Sequence, residues 1–281
     1  MRTNKLVRPF LKWAGGKRQL IPELMKRTPK KIGAYYEPFL GAGALLLELQ
    51  RKRAVVNDKN GELINCYTVV RDSVDELIEA LSGHHNDEDY FYQVRDWDRQ
   101  DWFSGLSPIQ RAARIIFLNK TCYNGLFRVN AQGQFNVPFG RYRDPNIVDV
   151  AVLKGVSEYL RTNDIRFYCG DFATAVETAK AGDFVYCDPP YDPVSDTSSF
   201  TGYDVNGFDR GEQLRLKIVM DTLTRRNCKV LLSNAATPFI LDLYKGYFVD
   251  RVEATRAINS VAVRRGKVME VLISNYDTVK E

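Results

Sequence analysis

The chain holds only two histidines, and they are neighbours: His84 and His85 stand directly before Asn86-Asp87-Glu88-Asp89. Adjacent histidines in so polar a stretch read as a solvated turn, which leaves little basis for histidine-driven proton transfer or metal ligation. The five cysteines, Cys66, Cys122, Cys169, Cys187 and Cys228, lie far apart, form no CxxC pair and are odd in number. That pattern argues against a disulfide framework and against a thiolate metal site, so no metal is expected. No apolar run approaches the roughly 18 residues of a membrane span, and no membrane association is expected. Met1-Arg2-Thr3-Asn4-Lys5 leads into Trp13-Ala14-Gly15-Gly16 without an apolar segment, so a secretory signal is not read there and a cytoplasmic location is expected. Internal repeats, low-complexity tracts and Pro/Ser-rich linkers are also missing. At 281 residues, 44% hydrophobic and 27% charged, the chain can bury one large core or a core plus an inserted domain.

Charge of one sign is locally scarce. The formal net charge is only +5, yet residues 1–31 carry ten Lys or Arg against Glu23 alone. Residues 105–145 carry Arg111, Arg114, Lys120, Arg128, Arg141 and Arg143 against the single Asp144. Such clustering suits a polyanionic partner, although charge counts by themselves describe a solvated basic face equally well.

Short apolar runs ending at polar or Gly-rich turns predict the strands of an α/β core. They are Ala34-Tyr35-Tyr36, Ala54-Val55-Val56, Asp183–Cys187, Lys229–Ser233, Phe248–Glu253 and Val268–Tyr276. Residues 60–165 differ: Leu63, Tyr67, Val70, Val74, Leu77 and Leu81 follow helical spacing, and strand signal is weak until about residue 122. This predicts a mostly helical insertion at 60–165 within a domain formed by 1–59 and 166–281. Ser107-Pro108-x-Gln110 and Asp209-x-x-Glu212 have the form of capping boxes that start helices. Within the insertion, Tyr123-Asn124-Gly125-Leu126 and Asn136–Tyr142 flank Asn130-Ala131-Gln132-Gly133, which predicts a β-hairpin. Its mixture of aromatic, amide and arginine side chains is the chemistry that reads base edges and wedges into base stacks.

Asp188-Pro189-Pro190-Tyr191 follows the apolar run Phe184–Cys187. Such a turn can hold a planar amine: the carboxylate accepts an amine hydrogen, the prolines stiffen the backbone, and the ring stacks on the flat group. Glu37-Pro38-Phe39-Leu40-Gly41-Ala42-Gly43 stands at a strand-to-helix turn, where glycines let a ligand approach the backbone. Asp58 ends the next predicted strand, 15 positions after Gly43, where a carboxylate can bind ribose hydroxyls. Nothing resembles a phosphate-binding P-loop.

FLKWAGGK (Phe10–Lys17), EPFLGAG (Glu37–Gly43), NDKN (Asn57–Asn60), the hairpin YNGLFRVN…FNVPFGRY and DPPY occur in that order. Together they resemble the Dam-type DNA adenine-N6 methyltransferases, class alpha of the D12 family, and in particular GATC-modifying members, including those paired with restriction endonucleases. The resemblance spans almost the whole chain. It implies a Rossmann-like, S-adenosylmethionine-dependent methyltransferase sheet of seven mainly parallel strands ending in an antiparallel hairpin. It also implies that residues 60–165 form an inserted, mostly helical target-recognition domain carrying a β-hairpin.

By resemblance, the Asp188 carboxylate and the Pro189 carbonyl accept the hydrogens of the target amine while Tyr191 stacks on the base. Trp13, Lys17, Asp58 and Asp188 occupy the family's cofactor positions. Glu37, Phe39, Gly41 and Gly43 form the turn beneath the methionine part, and Asp171 and Phe172 flank the cofactor adenine. The implied cofactor is S-adenosylmethionine, with S-adenosylhomocysteine as product and no metal. The implied partner is double-stranded DNA: Arg128 contacts guanine, Leu126 and Pro138 the thymine methyl, and Lys12 the outer base pair. Tyr123 and Asn124 enter the stack, and Arg141 contacts phosphate. A monomer without an obligate protein partner is expected, in a bacterial or phage-infected cell. Ser195–Tyr203 and Ala257–Lys267 are expected to be loops that close on DNA. The alternatives are another target sequence, cytosine N4 as acceptor, an RNA substrate, or a catalytically silent DNA-binding module of the same fold.

Overall fold

A computed structural model describes residues 3–13, 17–193, 208–255 and 267–278. Of the two expected closing loops, Ser195–Tyr203 lies outside the described residues, as does Ala257–Lys267 apart from Lys267 itself. The chain divides into two compact units, one of residues 1–16, 41–50 and 60–169, the other of 17–40, 51–59 and 170–281.

Seven strands form one mixed sheet: β1 (Tyr35–Glu37), β2 (Arg53–Asp58), β3 (Asp164–Cys169), β4 (Phe184–Cys187), β5 (Lys229–Ala235), β6 (Phe248–Thr255) and β7 (Lys267–Ser274). Their order is β3-β2-β1-β4-β5-β7-β6. β1 runs parallel to both β2 and β4, and β4 runs parallel to β5. β7 is antiparallel to β5 and to β6. This is the expected α/β, Rossmann-like sheet with its antiparallel final hairpin.

The central strands are apolar at nearly every position because both faces of the sheet are covered, as in parallel sheets generally. On one face Val185 and Cys187 of β4, Val230 and Leu232 of β5, and Val271 and Ile273 of β7 pack with Leu216, Met220 and Leu223 of the helix Arg210–Arg225. Six strands match predicted runs. β3 does not, because Ile165 is its only buried residue. A strand that buries one side chain leaves no alternation to read.

In the first unit the helices are Ala44–Leu49, Gly61–Asp72, Val74–Ser82, Glu88–Arg95, Pro108–Thr121 and Val150–Thr162. Leu63, Tyr67, Val70, Leu77 and Leu81 are buried as their spacing predicts. Their single periodic run is nonetheless two helices, broken at Ser73, whose backbone (φ −143°, ψ 47°) leaves the helical region. Pro108–Thr121 starts with the expected capping box: Ser107 Oγ accepts from Gln110 N and Ser107 N donates to Gln110 Oε1. At Asp209 only half a box forms, since Asp209 accepts from Glu212 N while the Glu212 carboxylate accepts from Arg215.

Three further expectations change. His84 does not sit in a solvated turn: its ring stacks on Phe117 at 4.6 Å and its Nδ1 lies 2.8 Å from the Tyr90 hydroxyl. Burial pushes its pKa down to about 4, with the adjacent His85 adding to the effect. Arg114 does not belong to a basic face; it is 2% exposed, pairs with Asp98 at 2.8 Å, and donates to the carbonyls of Val94 and Arg95. The predicted hairpin is paired at two isolated antiparallel bridges, Cys122 with Phe139 and Val129 with Phe135, not along a ladder. Pro138 has no N–H to give, and Tyr123–Gly125 is a 3₁₀ turn. The five cysteines are free thiols, and no helix among the described residues is long and apolar enough to cross a membrane.

Candidate active site

In the second unit the strand order reverses between β1 and β4, and ligands of open α/β sheets bind outside the carboxyl ends of strands at such a point. Glu37 is the last residue of β1, and Asp188 follows the last residue of β4. β4 is buried at all four positions, so Asp188 leaves a rigid strand directly into the Pro189-Pro190 turn.

Two donors converge on Asp188. Lys17 Nζ lies 3.1 Å from Oδ1, and Ser233 Oγ donates to the same oxygen at 2.7 Å. Ser233 is fully buried on β5. Its hydroxyl has one hydrogen, and that goes to Asp188, so the contact with Tyr186 at 3.0 Å has the tyrosine donating. The result is a hydrogen-bonded chain from buried Tyr186 through buried Ser233 to half-buried Asp188. Burial pushes the Asp188 carboxyl above the ordinary carboxylate range, while the Lys17 charge and the Ser233 hydrogen bond pull it down.

Tyr191 is held at both its hydroxyl and its face. Its OH donates to Glu270 Oε2 at 2.8 Å, and Lys17 Nζ stands 4.4 Å from its ring centroid. Lys17 therefore touches both side chains expected to receive a planar amine. The turn itself is tied down on its far side. Gln213 Nε2 donates to the Pro190 carbonyl at 2.8 Å, and Asp192 N donates to Asn234 Oδ1 at 3.1 Å. The Asp192 carboxylate, 1% exposed, pairs with Arg210 at 3.0 Å and accepts from Thr237 Oγ1 at 2.7 Å.

The remaining expected cofactor residues of this unit occupy neighbouring strand ends. Glu37 is buried and accepts from Tyr35 OH at 2.8 Å. Asp58 ends β2, and its carbonyl accepts from Gly170 N at 3.2 Å. Asn57 closes this corner by donating to the carbonyls of Pro38 and Gly170. Phe172 stacks on Phe39 with ring centroids 5.2 Å apart, and Phe208 meets both rings. Asp171 caps the short helix Phe172–Ala175 and pairs with Arg215, whose guanidinium lies 4.3 Å from the Phe172 ring. Among the described residues no group of three or more His, Cys, Asp or Glu is arranged to hold a metal.

The first unit gathers the other expected residues. Gly41 (φ +50°) and Gly43 (φ +62°) take left-handed backbone on the way into Ala44–Leu49. A Cβ at Gly41 would lie 3.3 Å from the Trp13 ring, which itself stacks on Phe127 at 4.8 Å. Ala14, Gly15 and Gly16 lie outside the described residues. Tyr123, Arg128, Pro138 and Arg141 are exposed; Asn124 and Leu126 are half-buried. Asn124 has φ +56°, a left-handed conformation that asparagine tolerates. Arg128 donates to Asn136 at 2.7 and 3.1 Å, and Arg141 pairs with Glu88 at 2.8 Å. Lys12 stands with its ammonium 5.1 Å from the Tyr142 ring centroid.

Three residues escaped the motif reading: Ser233, Glu270 and Asn119. The first two hold Asp188 and Tyr191. Asn119, in Pro108–Thr121, hydrogen-bonds the Lys12 backbone and the Gly125 carbonyl. An isolated Ser, Glu or Asn carries no local signal of such contacts. A polar residue set against an apolar run, as Ser233 after Val230–Leu232 and Glu270 between Met269 and Val271, is the cue available.

Comparison with known proteins places these residues in context. The sequence model of the D12 class N6 adenine-specific DNA methyltransferases matches residues 13–258. The chain is 44% identical over 279 residues to the type II methyltransferase M1.LlaDCHI of Lactococcus lactis subsp. cremoris, covering 98% of each protein. It is 41% identical to the type II methyltransferase M.MjaIII of Methanocaldococcus jannaschii, over 96% of this chain and 99% of that one. It is 36% identical to the DNA adenine methylase of Escherichia coli K12, over 94% of each.

Proposed function

The chain belongs to the D12 class of N6 adenine-specific DNA methyltransferases, and from that premise we propose that it methylates a flipped adenine within GATC of double-stranded DNA, using S-adenosylmethionine. Membership makes it an adenine-specific DNA methyltransferase, so the cytosine, RNA and silent-module readings fall away. The observation that carries the proposal is the pairing at the switch point: a carboxylate and an aromatic ring on one proline-stiffened turn, both held by buried partners.

Adenine N6 is a weak nucleophile because its lone pair is delocalised into the ring. Acceptance of one N–H by Asp188 and the other by the Pro189 carbonyl localises that pair and aims it. Tyr191 supplies the stacking face. Lys17 now stands over the Tyr191 ring, so the entering base takes that face while the ammonium stays on Asp188 Oδ1. The raised Asp188 pKa makes the ionised, accepting form dependent on Lys17 and Ser233. Most of the rate acceleration is then positioning and fixed electrostatics, with no covalent enzyme intermediate.

The donor set fits the cofactor. Carboxylates at the ends of β1, β2 and β4 suit ribose hydroxyls and an ammonium group, and the Phe39–Phe172 pair suits an adenine ring. Glu37, Phe39, Asp58, Asp171, Phe172, Asp188 and Lys17 would hold it, and Trp13, Gly41 and Gly43 share that role. When bound, S-adenosylmethionine supplies an electrophilic methyl group and leaves as S-adenosylhomocysteine.

Extrahelical adenine costs a few kcal/mol of lost stacking and pairing, which recognition contacts must offset. Tyr123 and Asn124 enter the stack, Arg128 reads guanine, Leu126 and Pro138 meet the thymine methyl, Lys12 reads the outer pair, and Arg141 contacts phosphate. The exposed positions of Tyr123, Arg128, Pro138 and Arg141 support these roles. Residues 60–165 thereby serve as the target-recognition domain. The test is transfer of labelled methyl from S-adenosylmethionine to a GATC duplex beside a duplex of equal composition with the site scrambled. Label on the GATC adenine alone is the expected result; equal labelling of both would overturn the GATC assignment and keep the enzyme class.

A further inference from the structure

Lys12 and the Tyr123–Gly125 turn are more than a hundred residues apart in the chain, yet one buried side chain fastens them together. Asn119 is 1% exposed. Its Oδ1 accepts from Lys12 N at 2.9 Å, and its Nδ2 donates to Lys12 O at 2.7 Å and to Gly125 O at 3.0 Å. One amide thus satisfies both backbone groups of Lys12, as a neighbouring strand would, and spends its second N–H on the turn. The pattern also fixes which way the amide points, since a donor must face each carbonyl and an acceptor the N–H. Gly125 completes the joint from the other side. It has φ +62°, and a Cβ there would lie 2.5 Å from Lys12 Cδ and 2.7 Å from Lys12 Cβ. The Lys12 side chain therefore lies directly on the turn that carries Tyr123 and Asn124, and its ammonium is left beside the Tyr142 ring.

We infer that Asn119 is a positioning residue for sequence readout, welding the Lys12 segment to the Tyr123–Asn124 turn so that they meet DNA as one rigid surface. The inference rests on the proposed reading of Lys12, Tyr123 and Asn124 as DNA contacts. It is a claim about geometry transmitted through a buried amide, since Asn119 itself is out of reach of any ligand.

Asn119→Asp is the discriminating variant. It preserves size and the acceptor facing Lys12 N, but sets a carboxylate oxygen against the carbonyls of Lys12 and Gly125. The measurement is kcat/KM on a GATC duplex and on duplexes with the outer base pair replaced, together with S-adenosylmethionine affinity and thermal unfolding. Lys12→Ala is measured in parallel. The expected result is a folded protein with unchanged cofactor affinity whose discrimination at the outer pair falls roughly tenfold, as it does in Lys12→Ala. Should Asn119→Asp not fold, Gly125→Ala parts the same two segments with the amide intact, and the same loss is expected. If Lys12→Ala loses discrimination while Asn119→Asp, or Gly125→Ala in its place, retains it, the positioning role is overturned and the reading of Lys12 stands. If Lys12→Ala retains discrimination, the reading of Lys12 fails and the inference fails with it.

Discussion

The Asp188–Tyr191 turn of the second unit is held at both its reactive side chains and at its backbone: Ser233 and Lys17 on Asp188, Glu270 on Tyr191, Gln213 on the Pro190 carbonyl. The Tyr123–Tyr142 loop of the first unit pairs with itself at two isolated bridges, is tied at Phe135 to Asp98 and Arg99, and still shows Tyr123 at 44% exposure, with Arg128 donating to Asn136 of its own loop. The contrast matches the demands on each. Aiming one lone pair tolerates little positional error, so its acceptors are set on a buried strand end and fixed by neighbours. Reading a duplex requires side chains that reach outward, and the loop supplies reach while its anchors, Asn119 at the Tyr123–Gly125 turn and Asp98 and Arg99 at Phe135, supply register.

Lesions in the two regions should therefore separate. The largest effect is expected from Asp188→Ala. Loss of an acceptor that acts on the reacting amine should lower methyl transfer by on the order of 10³-fold or more while leaving DNA affinity largely intact. Single-turnover transfer and equilibrium DNA binding, measured on the same preparation, check this. Arg128→Ala should do the opposite, losing about 1–3 kcal/mol of discrimination at one base pair. A uniform loss across all sequences in a panel of singly substituted duplexes would instead make Arg128 a phosphate contact.

A smaller effect sharpens the comparison from the chemical side. The Ser233 hydrogen bond lowers a carboxyl that burial raises. Ser233→Ala should raise it further, so the acid limb of kcat/KM should move to higher pH. A pH–rate profile that keeps its acid limb in place would detach Ser233 from the chemistry. The smallest effect concerns stability of the first unit. An unfolded histidine titrates near pH 6.5, whereas His84 on Phe117 is held down at about 4. The unfolded chain therefore takes up a proton as pH falls through 6.5 while the folded chain does not until about 4. Stability is full above 6.5 and lost between those values, and it levels off below them. The melting temperature of the wild type should drop by a few degrees more over this range than that of His84→Phe.

The same contrast governs how much could be read from the chain. Strands were legible where an apolar run stopped at a polar turn, as at Phe184–Cys187, because full burial demands an unbroken run. β3 was not, since it buries Ile165 alone. The helical face from Leu63 to Leu81 was legible, but the break at Ser73 was not, because the apolar period continues across it. In the candidate site the local tetrapeptide announced Asp188 and Tyr191. Their partners did not announce themselves: Ser233 lies 45 residues from Asp188, and Glu270 lies 79 from Tyr191. Asn119 lies 107 residues from Lys12. Such contacts exist only once the chain has folded. Arg114 shows the converse error, a charge counted toward a surface that the fold spends on an interior pairing with Asp98.

The division of labour is tested most directly by equilibrium binding of the Asp188→Ala protein to a GATC duplex and to its scrambled counterpart, with methyl transfer followed in the same samples. The expected result is preference for GATC undiminished from wild type and transfer near background. Transfer at wild-type rates, or loss of the GATC preference along with turnover, would contradict it.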